Sequence, residues 1–319
     1  MRNLDHMQQN VFLSNVTEYY GQGKHIAVLH GGMSREREIS NISAKSVIPT
    51  LLNMGYKVTG VDAGLDLASI LFSMRPDVVF NCLHGTYGED GYIPGMLNSL
   101  EIPYTHSGAK SSAVCFHKDI TQKLCIAEGI IVPKGEIVRK GQCHTSIQMP
   151  YVVKPTSQGS SIAVDVIFPE DNRSVQDYSF ECGDVALLEE YIKGMEMQVA
   201  VIGGQALGLL HVKLAGKRFF DYQAKYTSGF VQYIASPDIS LATREEILSI
   251  AKKAYNILCC RGLTRVELIY VPETQKTYFL ELNTHPGLTP TSVCPKIAEN
   301  AGISFSELLE MMLQDARFD

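Results

Sequence analysis

Two runs late in the sequence, LTRVELIYV and KTYFLELNT, each set two polar groups two residues apart: Arg265 and Glu267 in the first, Glu281 and Asn283 in the second. Both runs are rich in β-branched and aromatic residues and read as strands, and residues two apart on a strand share a face. The PETQ segment between them makes a hairpin. If the two faces coincide, a guanidinium, two carboxylates and a carboxamide converge. Carboxylates directly across a ladder repel one another, and a hard cation between them removes the repulsion. Mg²⁺ takes such oxygen ligands, with substrate phosphates completing its shell. The plainer alternative is a solvated sheet face on which Arg265 pairs with the acids.

Three further clusters can do chemistry. VVKPTSQGSSIAV places Lys154 at the end of an apolar strand, and Gly159, Ser160 and Ser161 in the turn to the next. Backbone N–H groups and hydroxyls of such a loop can cradle phosphate oxygens, with the lysine as a point charge; an ordinary hairpin turn is the alternative. It is neither the strand-to-helix phosphate loop nor a dinucleotide fingerprint. SREREIS and HGTYGEDG bring Glu36, Glu38, His84, Glu89 and Asp90 to the edge of a sheet, where a carboxylate could hold a substrate ammonium. Acidic residues favoured by a helix N-terminus explain some of them equally well. DYQAKYTSGF carries Lys225 and Tyr226 in a polar loop, either a cover for a site or a mobile surface segment.

The elements that must hold these groups follow from periodicity. HIAVLHGG, YKVTGVDA and PDVVFNCLHG read as short buried strands, and Ile39, Ile42, Val47, Ile48, Leu51 and Leu52 recur at helical spacing before Gly55. That order implies a parallel α/β unit ending near Gly108, with ligand sites beyond the carboxyl ends of its strands. From Ala109 the pattern becomes α+β: two short helices, the Gly/Ser-linked strand pair, three strand-like runs in VALLEEYIKGMEMQVAVIGGQALGLLHVKL, a long amphipathic helix ended by Gly262, the hairpin and a closing helix SFSELLEMMLQDA.

Composition narrows the partners. The 319 residues are 45% apolar and 19% charged with net charge −6, and no Lys/Arg-rich run supplies a nucleic-acid footprint. Eight cysteines are scattered without a Cys-x-x-Cys pair and read as core thiols. No apolar run reaches the roughly 18 residues of a membrane span, and residues 1–23 are too polar for a secretory signal. The expected address is the cytoplasm, with no membrane or nucleic-acid partner.

Taken in order, these stretches resemble the ATP-grasp superfamily and, within it, the D-alanine–D-alanine ligase family. The resemblance runs from about Lys24 to Ala316 through GG-x-S-x-ERE-x-S, HG-x-x-GEDG, YTHSG, HKDITQK, VVKP-x-x-x-GSS, EE-x-x-x-G-x-E, DYQAKY, R-x-E and LELNT-x-PG-x-T. It implies a three-domain architecture: an N-terminal parallel α/β substrate domain at 24–108, a central lobe at 109–192 and a C-terminal lobe at 193–319 carrying metal and catalytic residues. The two β-rich lobes clasp ATP, and residues 1–23 form an extension without an assigned role.

The implied reaction joins two D-alanines: one carboxylate takes the γ-phosphoryl of ATP, and the second amine captures the acyl phosphate, giving a peptidoglycan precursor. Lys118 and Lys154 would bind phosphates beneath Ser160 and Ser161. Glu189 would meet the adenine amine, Glu190, Tyr191 and Ile192 the purine edge, Glu196 the ribose and Lys225 the γ-phosphate. Glu267, Glu281 and Asn283 would hold two Mg²⁺ ions, with Mn²⁺ as the substitute. Glu36 with His84 would take the first ammonium, and Tyr226 and Ser160 would order that corner. Arg265 and the Gly287 N–H would stabilise the oxyanion, and Ser292 would bind the second carboxylate. The resemblance adds a homodimer and a monovalent cation such as K⁺.

Glu267 stands where the family more often has Asp, Gln158 where an acid is frequent and Glu190 where Lys is. Tyr226 favours a dipeptide over a D-lactate product. Two alternatives remain: another ATP-grasp carboxylate–amine ligase, against which the ERE, GEDG and PG-x-T sets speak, and a non-catalytic ATP-binding protein, against which Arg265 and both lysines speak.

Overall fold

A computed structural model of the protein describes residues 23–160, 162–214 and 231–319; Ser161, Lys225, Tyr226 and residues 1–22 of the N-terminal extension lie outside them. The chain opens with β1 (His25–His30), α1 (Arg37–Asn53), β2 (Lys57–Asp62), α2 (Leu67–Met74), β3 (Val78–Asn81) and α3 (Tyr92–Ser99). The strands form a parallel sheet in the order β2-β1-β3.

Period-two alternation splits β1 between two cores. Ile26 and Val28 face Ala44, Val47 and Leu51 of α1, while Ala27 and Leu29 face Leu67 and Leu71 of α2 and Leu97 of α3. Helices α2 and α3, which do not stand out in the sequence periodicity, cover that second face. Their apolar stretches are eight residues each, too short for a 3.6-residue period to stand out from a buried strand.

Next come α4 (Ala109–Phe116), α5 (Lys118–Ala127), β4 (Gly135–Arg139), β5 (Tyr151–Pro155), β6 (Asp165–Ile167) and β7 (Val185–Glu190). The four strands form an antiparallel sheet, β4-β7-β5-β6. β8 (Met195–Ile202), β9 (Gln205–Leu214), β10 (Val231–Ile234), β11 (Leu263–Val271) and β12 (Lys276–Asn283) form a second, β10-β9-β8-β11-β12. Three helices complete the described fold: α6 (Leu241–Ile257), α7 (Val293–Asn300) and α8 (Phe305–Gln314).

Packing divides the 109–192 stretch. Cys115 of α4 and Cys125 of α5 share a core with Val199, Leu268, Phe279 and Ala251, so both helices belong with the five-stranded sheet and α6 rather than with the sheet that follows them. α6 also stops at Ile257, with Cys259 left-handed at φ 51°, five residues before the expected stop at Gly262. Gly262 serves a different contact: a Cβ there would lie 2.7 Å from the His106 Cα.

That approach belongs to the seam between the N-terminal sheet and the five-stranded sheet. His106 and His285, both about 1% exposed, stack at 4.5 Å with planes 17° apart. Asn81, the last residue of β3, accepts the Leu83 N–H through its side-chain oxygen, so its Nδ2 donates to His285 Nε2 at 3.0 Å. His285 is therefore the neutral tautomer with Nδ1 protonated, 3.1 Å from the Thr284 hydroxyl. Arg261 locks the same seam through its 3.0 Å bond to the Tyr104 carbonyl and its stack over the Tyr104 ring.

Burial, helped by the charges of His84 and Arg261, pushes His106 down to about 3. An unfolded histidine titrates near 6.5, so below that pH the unfolded chain gains a proton that the folded chain refuses, and stability falls until about pH 3. We expect His106→Phe to keep the stack and to flatten the fall between pH 6.5 and 5 by about 1.4 kcal/mol per pH unit, read from urea unfolding at several pH values. Parallel stability profiles for the two proteins would contradict this.

Candidate active site

The hairpin register decides whether the polar faces meet. Arg265 lies opposite Asn283 and Glu267 opposite Glu281, so all four share one face. The next strand extends the row, with Gln198 of β8 opposite Glu267. The reverse face of the same strands, with Val199, Val266, Leu268 and Leu282, is buried under α4 to α6. Across the gap, the four-stranded sheet buries Val153, Leu188 and Ala186 on its outer side and turns Val152, Lys154, Val166 and Glu189 inward. Between the two inner faces is a cavity of about 410 Å³, lined also by Lys118, Gln158, Glu190, Tyr191, Ile192, Glu196, Ile269 and Leu280.

The charges in this cavity compensate one another. Lys154 Nζ is 2.6 Å from Glu189, both side chains being nearly inaccessible, and Gln122 donates to the same carboxylate. Lys118 reaches Glu281 at 3.2 Å and donates to the Gln158 carbonyl at 2.6 Å. Arg265 holds Glu267 through two donors, Nε at 3.2 Å and Nη2 closer. Burial works to lower the Lys154 pKa, yet Glu189 and Glu281 outweigh it and the net shift is upward. Arg265 follows the same pattern, with Glu267 the main opposing influence. These cations stay charged, as polyanion binding requires.

The N–H groups of Glu190 and Tyr191 are already engaged, donating to the Lys134 and Pro150 carbonyls at 2.8 and 3.0 Å. The Glu190 carboxylate turns back to the Lys134 N–H at 2.9 Å.

A second pocket of about 90 Å³ adjoins the row and is lined by Glu36, His84, Glu89, Ser160, Gln198, Arg265, Asn283, Gly287 and Ser292. Its acidic end is assembled from two loops of the N-terminal sheet. Ser34 bonds the His84 carbonyl at 2.6 Å and accepts the Glu36 N–H at 3.1 Å. His84 lies between Glu89 at 3.2 Å and Ser43 at 3.3 Å. From above, Ser160 donates to Glu36, and Gly159 packs so near that a Cβ would come within 2.8 Å of Glu36 Oε1.

At the other end, the Ser292 hydroxyl meets the Thr289 N–H at 3.1 Å and the Thr289 hydroxyl at 2.7 Å. Gly287 leaves no room for a side chain beside it, since a Cβ would sit 2.8 Å from Ser292 Oγ. The His285 N–H, at 2.6 Å, fixes the Asn283 carboxamide oxygen.

Every described residue that the family resemblance assigns to the site therefore lines one of two adjoining spaces. Lys118, Lys154, Glu189, Glu190, Tyr191, Ile192, Glu196, Glu267 and Glu281 line the larger, while Glu36, His84, Ser160, Arg265, Asn283, Gly287 and Ser292 line the smaller. Ser161, Lys225 and Tyr226 are outside the described residues. Glu38 is exposed in the first turn of α1, and Asp90 accepts the Tyr87 and Tyr92 N–H groups of its own turn; for these two the local explanation is sufficient. Sequence reasoning missed Gln122 and Gln198. Gln198 was within reach of the same period-two argument, two residues after Glu196.

No cluster of three His, Cys, Asp or Glu groups set to hold a metal occurs among the described residues. Two carboxylates and a carboxamide on one face are all-oxygen donors that fit Mg²⁺ or Mn²⁺ when phosphate oxygens complete the shell.

Two antiparallel sheets closing on a lysine- and carboxylate-lined cavity, beside a parallel α/β unit, make this an ATP-grasp protein. The family model described as D-ala D-ala ligase C-terminus matches residues 125–314. D-alanine–D-alanine ligases of Rickettsia massiliae and Rickettsia canadensis are 47% and 46% identical, covering 93% and 96% of this chain and 93% and 87% of theirs. The solved D-alanine–D-alanine ligase of Bacillus anthracis, complexed with ATP, superposes with TM-score 0.78 at 29% identity, covering 92% of this chain and 97% of that one. The VanG D-Ala:D-Ser ligase of Enterococcus faecalis gives 0.77 at 27% identity, with 92% and 99% covered. The chain belongs to the D-alanine–D-alanine ligase family.

Removing one partner of a buried ion pair leaves the other charge uncompensated. Glu189→Gln is expected to lower the unfolding free energy by about 3–5 kcal/mol, and the double change Glu189→Leu with Lys154→Met to lose less than the single one. Chemical denaturation of the three proteins checks both statements.

Proposed function

We propose that the protein joins two molecules of D-alanine with ATP, giving D-alanyl-D-alanine, ADP and phosphate for cell-wall precursor synthesis. The observation that carries this reading is the register of β11 on β12, which sets Glu267 and Glu281 opposite each other on the face between a 410 Å³ cavity and a 90 Å³ pocket. A nucleotide occupies the first and amino acids the second, so the phosphoryl group is transferred at the row where they adjoin.

In the cavity, Lys118 and Lys154 lie against the phosphates, their present carboxylate partners giving way to stronger anions. The family resemblance assigns Ser160, Ser161 and Lys225 to the phosphates as well, Lys225 to the γ-phosphate. Glu189 accepts from the adenine amine, Glu190, Tyr191 and Ile192 follow its edge, and Glu196 accepts from the ribose hydroxyls. Glu267, Glu281 and Asn283 would hold two Mg²⁺ ions, or Mn²⁺, which supply charge neutralisation on the triphosphate.

Glu36, flanked by His84 and ordered by Ser160 and Tyr226, holds the first D-alanine by its ammonium. Its carboxylate oxygen forms a bond to the γ-phosphorus as the bond to ADP breaks. The second D-alanine, with its carboxylate at Ser292, brings its amine to the carbonyl carbon of the acyl phosphate. Arg265 and the Gly287 N–H then stabilise the oxyanion. The C–N bond forms, phosphate leaves and the amine proton is lost.

All eight cysteines are free thiols, which fits a reducing cytoplasm, and no helix among the described residues is long and apolar enough to cross a membrane. The family resemblance also supports a homodimer and an accompanying monovalent cation such as K⁺.

Phosphate release from ATP and Mg²⁺ is expected with D-alanine and near background with L-alanine or no amino acid; equal release in all three overturns the reading. Chelation of the divalent ion should abolish release. Glu281→Gln should lose at least about 100-fold in turnover while its melting temperature stays within a few degrees of the parent.

A further inference from the structure

Gln198 lines the smaller pocket, reaches Glu196 of the larger one and has no role in the scheme above. It is 1% exposed in the middle of β8, directly opposite Glu267, and it lines the amino-acid pocket with Arg265, Asn283 and Ser292. Its Nε2 donates to Glu196 Oε1 at 3.0 Å. A carboxylate only accepts, so this contact fixes the amide orientation and commits Oε1 to the other side. That oxygen is buried and has no hydrogen-bond partner among the described residues. A bare buried acceptor is disfavoured, which points to a donor that arrives with a ligand.

The pocket narrows the choice of donor. Arg265 already commits Nε and Nη2 to Glu267, and the hydroxyls of Ser292 and Thr289 pair with each other. In that reading the first ammonium belongs to Glu36 at the far end. What remains is the second amine, which attacks in its neutral form, with its lone pair toward the carbonyl and N–H bonds left to satisfy. A neutral carboxamide oxygen suits this task better than a carboxylate, because a carboxylate would favour the protonated, non-nucleophilic ammonium.

Resting on the ligase reading, we propose that Gln198 is a substrate-binding residue whose Oε1 accepts a hydrogen bond from the amine of the second D-alanine, while its Nε2 orients Glu196 in the nucleotide cavity. The residue thus links the two substrate sites along a single side chain.

The test is steady-state phosphate release by the full-length protein and by Gln198→Met, which fills the same space with no acceptor or donor. The KM for the second D-alanine is expected to rise roughly tenfold, the equivalent of about 1.4 kcal/mol. The KM for the first D-alanine should stay within about twofold, and that for ATP should rise by less than about fivefold, reporting the Glu196 end. Melting temperature should hold or increase, since the change also removes a buried unsatisfied acceptor. Should Gln198→Met not fold, Gln198→Asn, which draws the carboxamide back by one methylene, is expected to give the same split.

An unchanged second KM in a folded variant overturns the proposal, as does a uniform loss across all three substrates together with lowered stability. No D-alanine-dependent phosphate release from the parent protein overturns the ligase reading instead, so the two failures are distinguishable.

Discussion

The site is organised by the repulsion between Glu267 and Glu281, which face each other across the β11–β12 ladder. Like charges directly opposite on a sheet are destabilising, and here a cation on either side answers them: Arg265 along its own strand and Lys118 from the start of α5. Lys154 and Glu189 repeat the arrangement on the opposing sheet. Paired opposite charges make the facing carboxylates tolerable in the fold.

That solution demands precise convergence of distant segments. Lys118 begins α5, which packs on the five-stranded sheet, while Lys154 and Glu189 come from the four-stranded one. Glu36 and His84 follow strands of the parallel sheet, beyond their carboxyl ends, where such sheets present ligand sites. The seam formed by Asn81, His106, His285 and Arg261 holds this third sheet to the end of β12. Displacing the seam would move the acidic end of the small pocket relative to Arg265 and Asn283, so the remote histidines bear on the geometry of the site.

Much of this was legible in the sequence, for reasons that differ by element. Period two placed Arg265, Glu267, Glu281 and Asn283 on common faces because those pairs lie on the regular side of the irregularity in β11–β12. Beyond it the rule fails: Leu268 pairs with Phe279, skipping Leu280, so Phe279 and Leu282 reach one core although three residues apart. The assignment of α4 and α5 to the five-stranded sheet was not legible, since local periodicity carries no information about which of two later sheets a helix will cover. Pairings such as Lys154 with Glu189 were equally hidden, being set by the antiparallel fit of β5 on β7 rather than by spacing along the chain.

His285 shows how a residue inside a readable motif can escape assignment. In LNTHPG it stands two residues after Asn283 and before the turn at Gly287, where a functional histidine would be a natural guess. Its ring instead points to the seam, stacked on His106 and hydrogen-bonded to Asn81, and burial holds its pKa well below the usual value. A charged ring there would add a buried cation beside Arg261 and face the Asn81 amide with a donor in place of an acceptor. Only its backbone N–H addresses the site, steering the Asn283 carboxamide. The same short segment thus sets the Asn283 carboxamide on the polar row and attaches the parallel sheet through the His285 ring, which is why a change in either would disturb both.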